Sequence, residues 1–179
     1  MKKWMFVFAA GTLIMTACNN EKKEGAETVA AAPAKTVALS LPANYSSSFE
    51  MGNPEYAAMI VQGSWKDWQD NKLDNMKNWM ADTVMALQSD NQMIKGLDSM
   101  MATWKRDRAA YSSVVDSIDA AMAVYSTDKK ENWVLVWAQE FSAKADGTKD
   151  TTAVQETWRI NKAGKADFLL QYNRHKRKQ

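Results

Sequence analysis

Apolar residues in this chain recur at steps of three and four up to about residue 110, and from Val114 onward they recur at every second position. A helix returns to the same face every 3.6 residues and a strand every two, so helices come first and strands follow. Four strand candidates, 114–126, 132–144, 151–161 and 165–174, are separated by the turn signals Asp128-Lys129-Lys130-Glu131, Asp146-Gly147 and Lys162-Ala163-Gly164. Connections this short join antiparallel neighbours, which predicts a meander. In the second candidate Trp133, Leu135, Trp137 and Phe141 share one face and Val134, Val136, Ala138 and Glu140 the other. Both faces are apolar enough to need cover. The helices supply one cover, and a second copy of the chain could supply the other.

Asn53-Pro54-Glu55 offers a cap, a proline at the first helical position and an acid in the first turn, which predicts a helix start. Ala57, Ile60, Val61, Ser64, Trp65 and Trp68 form its buried stripe, and Asn71-Lys72 breaks it. Leu73-Asp74 opens a short second helix with Met76, Trp79 and Met80 inward, before a strand from Thr83 to Leu87 and a turn at Ser89-Asp90-Asn91. A third helix is predicted from about Ile94, with Leu97, Met100, Met101 and Trp104 inward and Lys105-Arg106-Asp107-Arg108 as its exposed end. The fold class is α+β, three N-terminal helices packed on a mostly antiparallel sheet.

The N-terminus carries an address. Lys2 and Lys3 precede an apolar run, Trp4 to Ile14, that is too short to span a bilayer, and Met15-Thr16-Ala17-Cys18 closes it with small residues. This resembles a bacterial lipoprotein signal with its lipobox. The resemblance implies cleavage before Cys18, diacylglycerol on its sulfur and an acyl group such as palmitate on its amine. The expected organisation is a signal peptide at 1–17, the lipidated Cys18 and a flexible tether at 18–50, a folded domain at 51–175 and a basic tail at 176–179. Val37, Leu39 and Leu41 alternate with small residues, so a short strand is a further option there. The expected location is the bacterial cell envelope, on the outer or inner membrane, with the domain on the periplasmic or surface side.

Composition removes several function classes. Of the 23 Lys and Arg, Lys2 and Lys3 lie in residues 1–17, which leaves 21 against 21 Asp and Glu. A neutral mature chain gives no electrostatic case for binding nucleic acid. One Cys excludes an intramolecular disulfide, and one His leaves most metal sites and histidine-based catalysis without parts. Neither a metal nor a cofactor is indicated.

Four stretches, in order, point to a family. They are Asp70-Asn71-Lys72-Leu73-Asp74 closing the first helix, Trp79-Met80-Ala81-Asp82 running into a strand, Lys95-Gly96-Leu97-Asp98-Ser99 opening the third helix, and Thr157 to Lys165 at the last hairpin. Over 54–175 the chain resembles the fold of nuclear transport factor 2, shared by steroid delta-isomerases, limonene epoxide hydrolase and polyketide cyclases of the SnoaL type. The resemblance implies a cone-like shape, a helix-capped cavity inside a strongly curved sheet, and homodimers joined through sheet surface. It places Ser64, Glu156 and Thr83 where the isomerases keep a Tyr, a hydrogen-bonding acid and a carboxylate base. Thr83 cannot act as that base. It places Glu140, Gln171 and Ala138 where the epoxide hydrolases keep two Asp bridged by an Arg, and that set is broken as well.

Candidate catalytic residues are therefore Glu140 and Glu156, and candidate ligand contacts are Trp65, Thr83, Glu140, Glu156, Trp158 and Gln171. If the two acids face each other inside the cavity, repulsion and burial raise at least one pKa; if they sit at a rim they stay solvated. Trp158 shares strand parity with Glu156 and is the best candidate for stacking on a ligand, the other Trp residues reading as core. Met76, Met80, Met85, Met100 and Met101 could form an adaptable lining or plain core. Arg174 to Lys178 reads as a solvated basic tail that could also touch anionic lipid. The expected function is a lipid-anchored module that binds a small apolar ligand or a protein partner without catalysis. The alternative is a SnoaL-like enzyme, of isomerase, cyclase or hydrolase type, using Glu140 and Glu156 on a small hydrophobic substrate.

Overall fold

The computed structural model describes residues 39–175; Cys18, the signal-like segment and residues 176–179 lie outside them. Asn53 caps the first helix as predicted, its side chain accepting the Glu55 N–H at 3.0 Å. Helix α1 runs from Pro54–Ile60 through a π-helical stretch, Val61–Lys66, into a last turn at Asp67–Gln69. A 3-10 turn, Leu73–Asn75, leads into α2, Met76–Trp79, and α3 spans Leu97–Ala109. The strands are β1 Phe49–Met51, β2 Met80–Leu87, β3 Met93–Lys95, β4 Tyr111–Ser126, β5 Glu131–Lys144, β6 Lys149–Ile160 and β7 Ala166–His175.

These strands form one open curved sheet in the order β1-β4-β5-β6-β7-β2-β3, antiparallel throughout except where β2 runs parallel to β7. Its concave face carries Val134, Val136, Ala138, Trp158 and Leu169, all buried against Ile60, Trp65, Met76, Met100 and Trp104 from the helices. The α+β expectation of three helices on a mostly antiparallel sheet holds. Glu140 follows Val134, Val136 and Ala138 onto the concave side, and Trp133, Leu135, Trp137 and Phe141 go to the convex side. β4 obeys the same alternation until a bulge between Ile118 and Ala120, where one extra residue switches the parity.

Several local readings are corrected. Ile94 is in β3 and not in a helix; α3 starts after Gly96, whose positive φ of 85° turns the chain out of the strand. β2 begins at Met80, three residues before Thr83, because Met80 pairs with Ala166 of β7. Leu39 and Leu41 are exposed and outside any strand, and the short strand is Phe49–Met51, on the edge of β4. Packing starts earlier still: Tyr45 donates to Glu131 and meets Trp133 edge to face at 6.0 Å. Arg108, read as part of an exposed end, is buried. Its guanidinium donates to the carbonyls of Trp68, Gln69 and Tyr111 at 2.8, 3.0 and 3.1 Å. A cation there satisfies the orphan carbonyls that end α1 and complements its dipole.

Candidate functional site

A cavity of about 280 Å³ lies between α1, the C-terminal half of α3 and the concave face, with its mouth toward the 88–92 turn and the last residues of β7. The π-helical stretch of α1 shapes its inner wall. A π turn adds a residue to the helical cycle and redirects the side chains that follow, here Ser64 and Trp65, which both line the cavity. Gly63 lets the stretch approach the Trp79 indole, which a Cβ there would meet at 2.4 Å.

Strand register sorts the concave side chains into rungs. On the inner rung Glu156 of β6 stands opposite Gln171 of β7. On the outer rung Asp116, Glu140, Thr152 and His175 follow one another across β4, β5, β6 and β7. Glu140 and Glu156 are thus both inside, as one sequence reading required, but they stand four positions apart along the sheet and do not oppose one another. The neighbour of Glu140 is Asp116.

Glu156 is 3% exposed and fully engaged. Its Oε2 accepts from Ser64 Oγ at 2.9 Å and Trp158 Nε1 at 2.8 Å, and its Oε1 accepts from Gln171 Nε2 at 3.2 Å. Burial raises its pKa, and these donors partly oppose the rise. Glu140 accepts the Trp68 Nε1–H at 2.8 Å on Oε2, and among the described residues its Oε1 has no hydrogen-bond partner. Burial raises its pKa too, against the Trp68 donor and Arg108. Asp116 has both carboxyl oxygens buried without a partner among the described residues. Burial, then Glu140 and Glu156, push its pKa up to about 7, opposed by Arg108.

Sequence reasoning missed Asp116. Its signal was present: an acid between Val114 and Ile118 at two-residue spacing sits on an apolar face. Among the other candidates, Trp65, Glu140, Glu156 and Gln171 line the cavity. Thr83 is exposed on β2 and does not line it. Trp158 has the expected parity but is wholly buried, packed edge to face against Trp79 at 5.3 Å and Trp104 at 6.2 Å, so it holds Glu156 and leaves no face for a ligand. None of the five Met lines the cavity: Met76, Met80 and Met100 are buried core, and Met85 and Met101 are half-buried. His175 belongs to β7 and not to a tail, its Nδ1 within 3.1 Å of Thr152 Oγ1 at the mouth. Among the described residues no three of His, Cys, Asp and Glu are grouped to hold a metal ion.

A scan of protein-family models matches nothing in this sequence, and a search among curated proteins finds no match. Solved structures do match. An LEH-like epoxide hydrolase from Mycobacterium tuberculosis is 12% identical, over 67% of this chain and 84% of its own, with a TM-score of 0.55. A second M. tuberculosis protein, in complex with estradiol-17β-hemisuccinate, is 20% identical over 65% of this chain and 92% of its own, with a TM-score of 0.53. A candidate SnoaL-like polyketide cyclase from Jannaschia sp. CCS1 is 13% identical over 66% and 83%, with a TM-score of 0.55. With three helices on a seven-stranded, mostly antiparallel, open curved sheet, the domain has the NTF2-like, SnoaL-like fold. That fold hosts unrelated activities, so the likeness stops at architecture.

Proposed function

We propose that the protein is a small-molecule-binding protein of the cell envelope, anchored through lipid on Cys18, whose NTF2-like domain holds its ligand in the cavity without turning it over. The observation that carries this reading is the state of Glu156. Three donors occupy its two oxygens, so the most buried acid of the site is committed to fixing the cavity wall. A general acid or base must be free to hand its proton to substrate. Thr83, which the resemblance placed where the isomerases keep their base, lies outside the cavity. What is left free is a surface for binding: the Trp68 and Trp104 rings, Val154, and the open oxygen of Glu140. Such a wall suits a ligand with an apolar body and at least one hydrogen-bond donor, a more polar molecule than the sequence suggested. The estradiol-17β-hemisuccinate complex of a protein with the same fold supports a ligand-holding cavity.

One observation favours the enzyme alternative, namely that Glu140 combines an open oxygen with a raised pKa. Native mass spectrometry of the full-length protein, purified in mild detergent, decides between the two. The expected result is a co-purifying small molecule that leaves chemically unchanged and is lost from Val154→Trp, which fills the cavity. Conversion of that molecule to a product, abolished in Glu140→Gln, would establish an enzyme instead.

A further inference from the structure

We infer that the cavity recognises an organic ammonium group, on a ligand that carries a positive charge close to a hydroxyl or other short polar arm. This rests on the ligand-binding reading and adds the charge of the ligand. The acids that line the cavity are Asp90, Asp107, Glu140 and Glu156, with no Lys or Arg among the lining residues. Asp107 is answered outside the cavity by Arg106 at 2.9 Å, and Asp90 accepts the Gln92 N–H. Glu140 makes no ion pair among the described residues, and the charge of Arg108 acts on it only from a distance. The one guanidinium behind the wall, Arg108, spends its N–H groups on three backbone carbonyls.

Beside Glu140, paired with it across β4 and β5, stands Asp116 with two buried oxygens that lack any partner among the described residues. Two carboxyl groups on one rung, one open to the cavity and one unsatisfied beside it, make a place where a cation relieves repulsion and an anion adds to it. Aromatic rings complete the wall. Trp65, Trp68 and Trp104 with Tyr111 surround the same space, and the negative faces of such rings attract ammonium groups when water is excluded. Neutral apolar ligands gain from the rings alone and leave the acids unanswered.

An entering cation also moves a proton. The groups that face Glu140 are Asp116 and Tyr111 from β4, Arg108 and Asp107 from α3, Asp150 from β6 and His175 from β7. Burial favours the protonated form of Glu140, and a bound ammonium group favours the ionised form, so binding releases a proton to solvent.

The test is calorimetric titration of the full-length protein in detergent with choline and with 3,3-dimethyl-1-butanol, in which carbon replaces the charged nitrogen. Choline is expected to bind at least tenfold more tightly, with proton release seen as a buffer-dependent heat, and Glu140→Gln is expected to remove both the preference and the proton. The wild-type comparison decides the matter even if that variant fails to fold. Equal or tighter binding of the neutral alcohol would overturn the cation inference and leave the ligand-binding reading standing. Absence of binding to both choline and sn-glycero-3-phosphocholine at millimolar concentration would also overturn it, and the broader reading falls only if native mass spectrometry shows an empty cavity too. Titration with sn-glycero-3-phosphocholine, the soluble headgroup of phosphatidylcholine, separates the sources: binding of it and not of free choline would support the inference with a lipid headgroup as the ligand.

Discussion

Single side chains in this domain are held by contacts whose loss has a predictable sign. Gly63 sits where a Cβ would meet the Trp79 indole at 2.4 Å, and Trp79 is itself pinned against Trp158. Gly63→Ala therefore forces the core apart, and overpacking of this kind costs about 1 to 3 kcal/mol. Thermal denaturation is expected to show a clear drop in Tm for that variant, and an unchanged Tm would mean that the π-helical stretch yields freely. Asp116 gives a prediction in pH. Its carboxyl titrates at about 7 in the folded protein, against roughly 4 in an unfolded chain. Because the folded state holds the proton more tightly, the stability that Asp116 contributes is complete below about pH 4 and lost as pH rises through about 7. Burial of Glu140 and Glu156 acts in the same direction. Asp128 acts in the opposite one: the Ser46 and Ser126 hydroxyls hold its pKa near 2, so its contribution is present above about 4 and lost as pH falls through about 2. The Tm should accordingly be higher at pH 5 than at pH 8, and Asp116→Asn should narrow the difference. A profile that is flat in the wild type, or unchanged by the substitution, would remove Asp116 from this role.

At the scale of strands and helices, the unexplained feature is the convex face of the sheet. Val115, Met122, Phe141 and Tyr172 expose 56%, 39%, 44% and 58% of their surface there, around the half-buried Leu135, Trp137 and Leu170. Monomers seldom leave a contiguous apolar patch of that kind in water. We expect a homodimer joined through this face, split into folded monomers by Trp137→Glu. Sedimentation of the wild type as a monomer at micromolar concentration would refute it. The same strands show what a sequence discloses and what it withholds. β4 to β7 were legible to within about three residues at each end because each runs at least ten residues with a steady period of two. β1 and β3 have three residues each, too few for any period, and in β3 only Ile94 is buried, which fits a helix start equally well. Parity alone carried Glu140, Glu156 and Gln171 to the correct face. It could not show that Glu140 and Glu156 sit on different rungs, since rungs depend on register between strands. Nor could it expose the close approach of Gly63 to Trp79, two segments that sequence does not place together.

For the molecule as a whole, the two ends of the long strands serve different purposes. The cavity mouth lies where β5 and β7 finish, at Glu140 and His175. Tyr45 to Met51 dock at the other end, beside the Ser126 to Glu131 hairpin: Ser46 Oγ lies 2.9 Å from Ser126 Oγ, and the Thr127 N–H donates to the Ser48 carbonyl at 2.9 Å. Nine residue steps along β5 separate Glu131 from Glu140, about 30 Å of extended strand. Among the described residues, every one that lines the cavity lies at Ser64 or beyond. Anchoring and ligand binding should therefore separate cleanly. Cys18 supplies the only thiol in the chain, and lipobox chemistry needs a thiol. Cys18→Ser is expected to take up no radiolabelled palmitate and to move from the membrane fraction to the soluble fraction, because several acyl chains together, unlike one, hold a protein on a bilayer. The same variant should keep wild-type affinity for any cavity ligand, read through quenching of Trp68 and Trp104 fluorescence. Continued membrane attachment of Cys18→Ser would place the anchor elsewhere in the chain. Loss of ligand affinity in a variant that still melts cooperatively would instead show that the membrane helps to form the site.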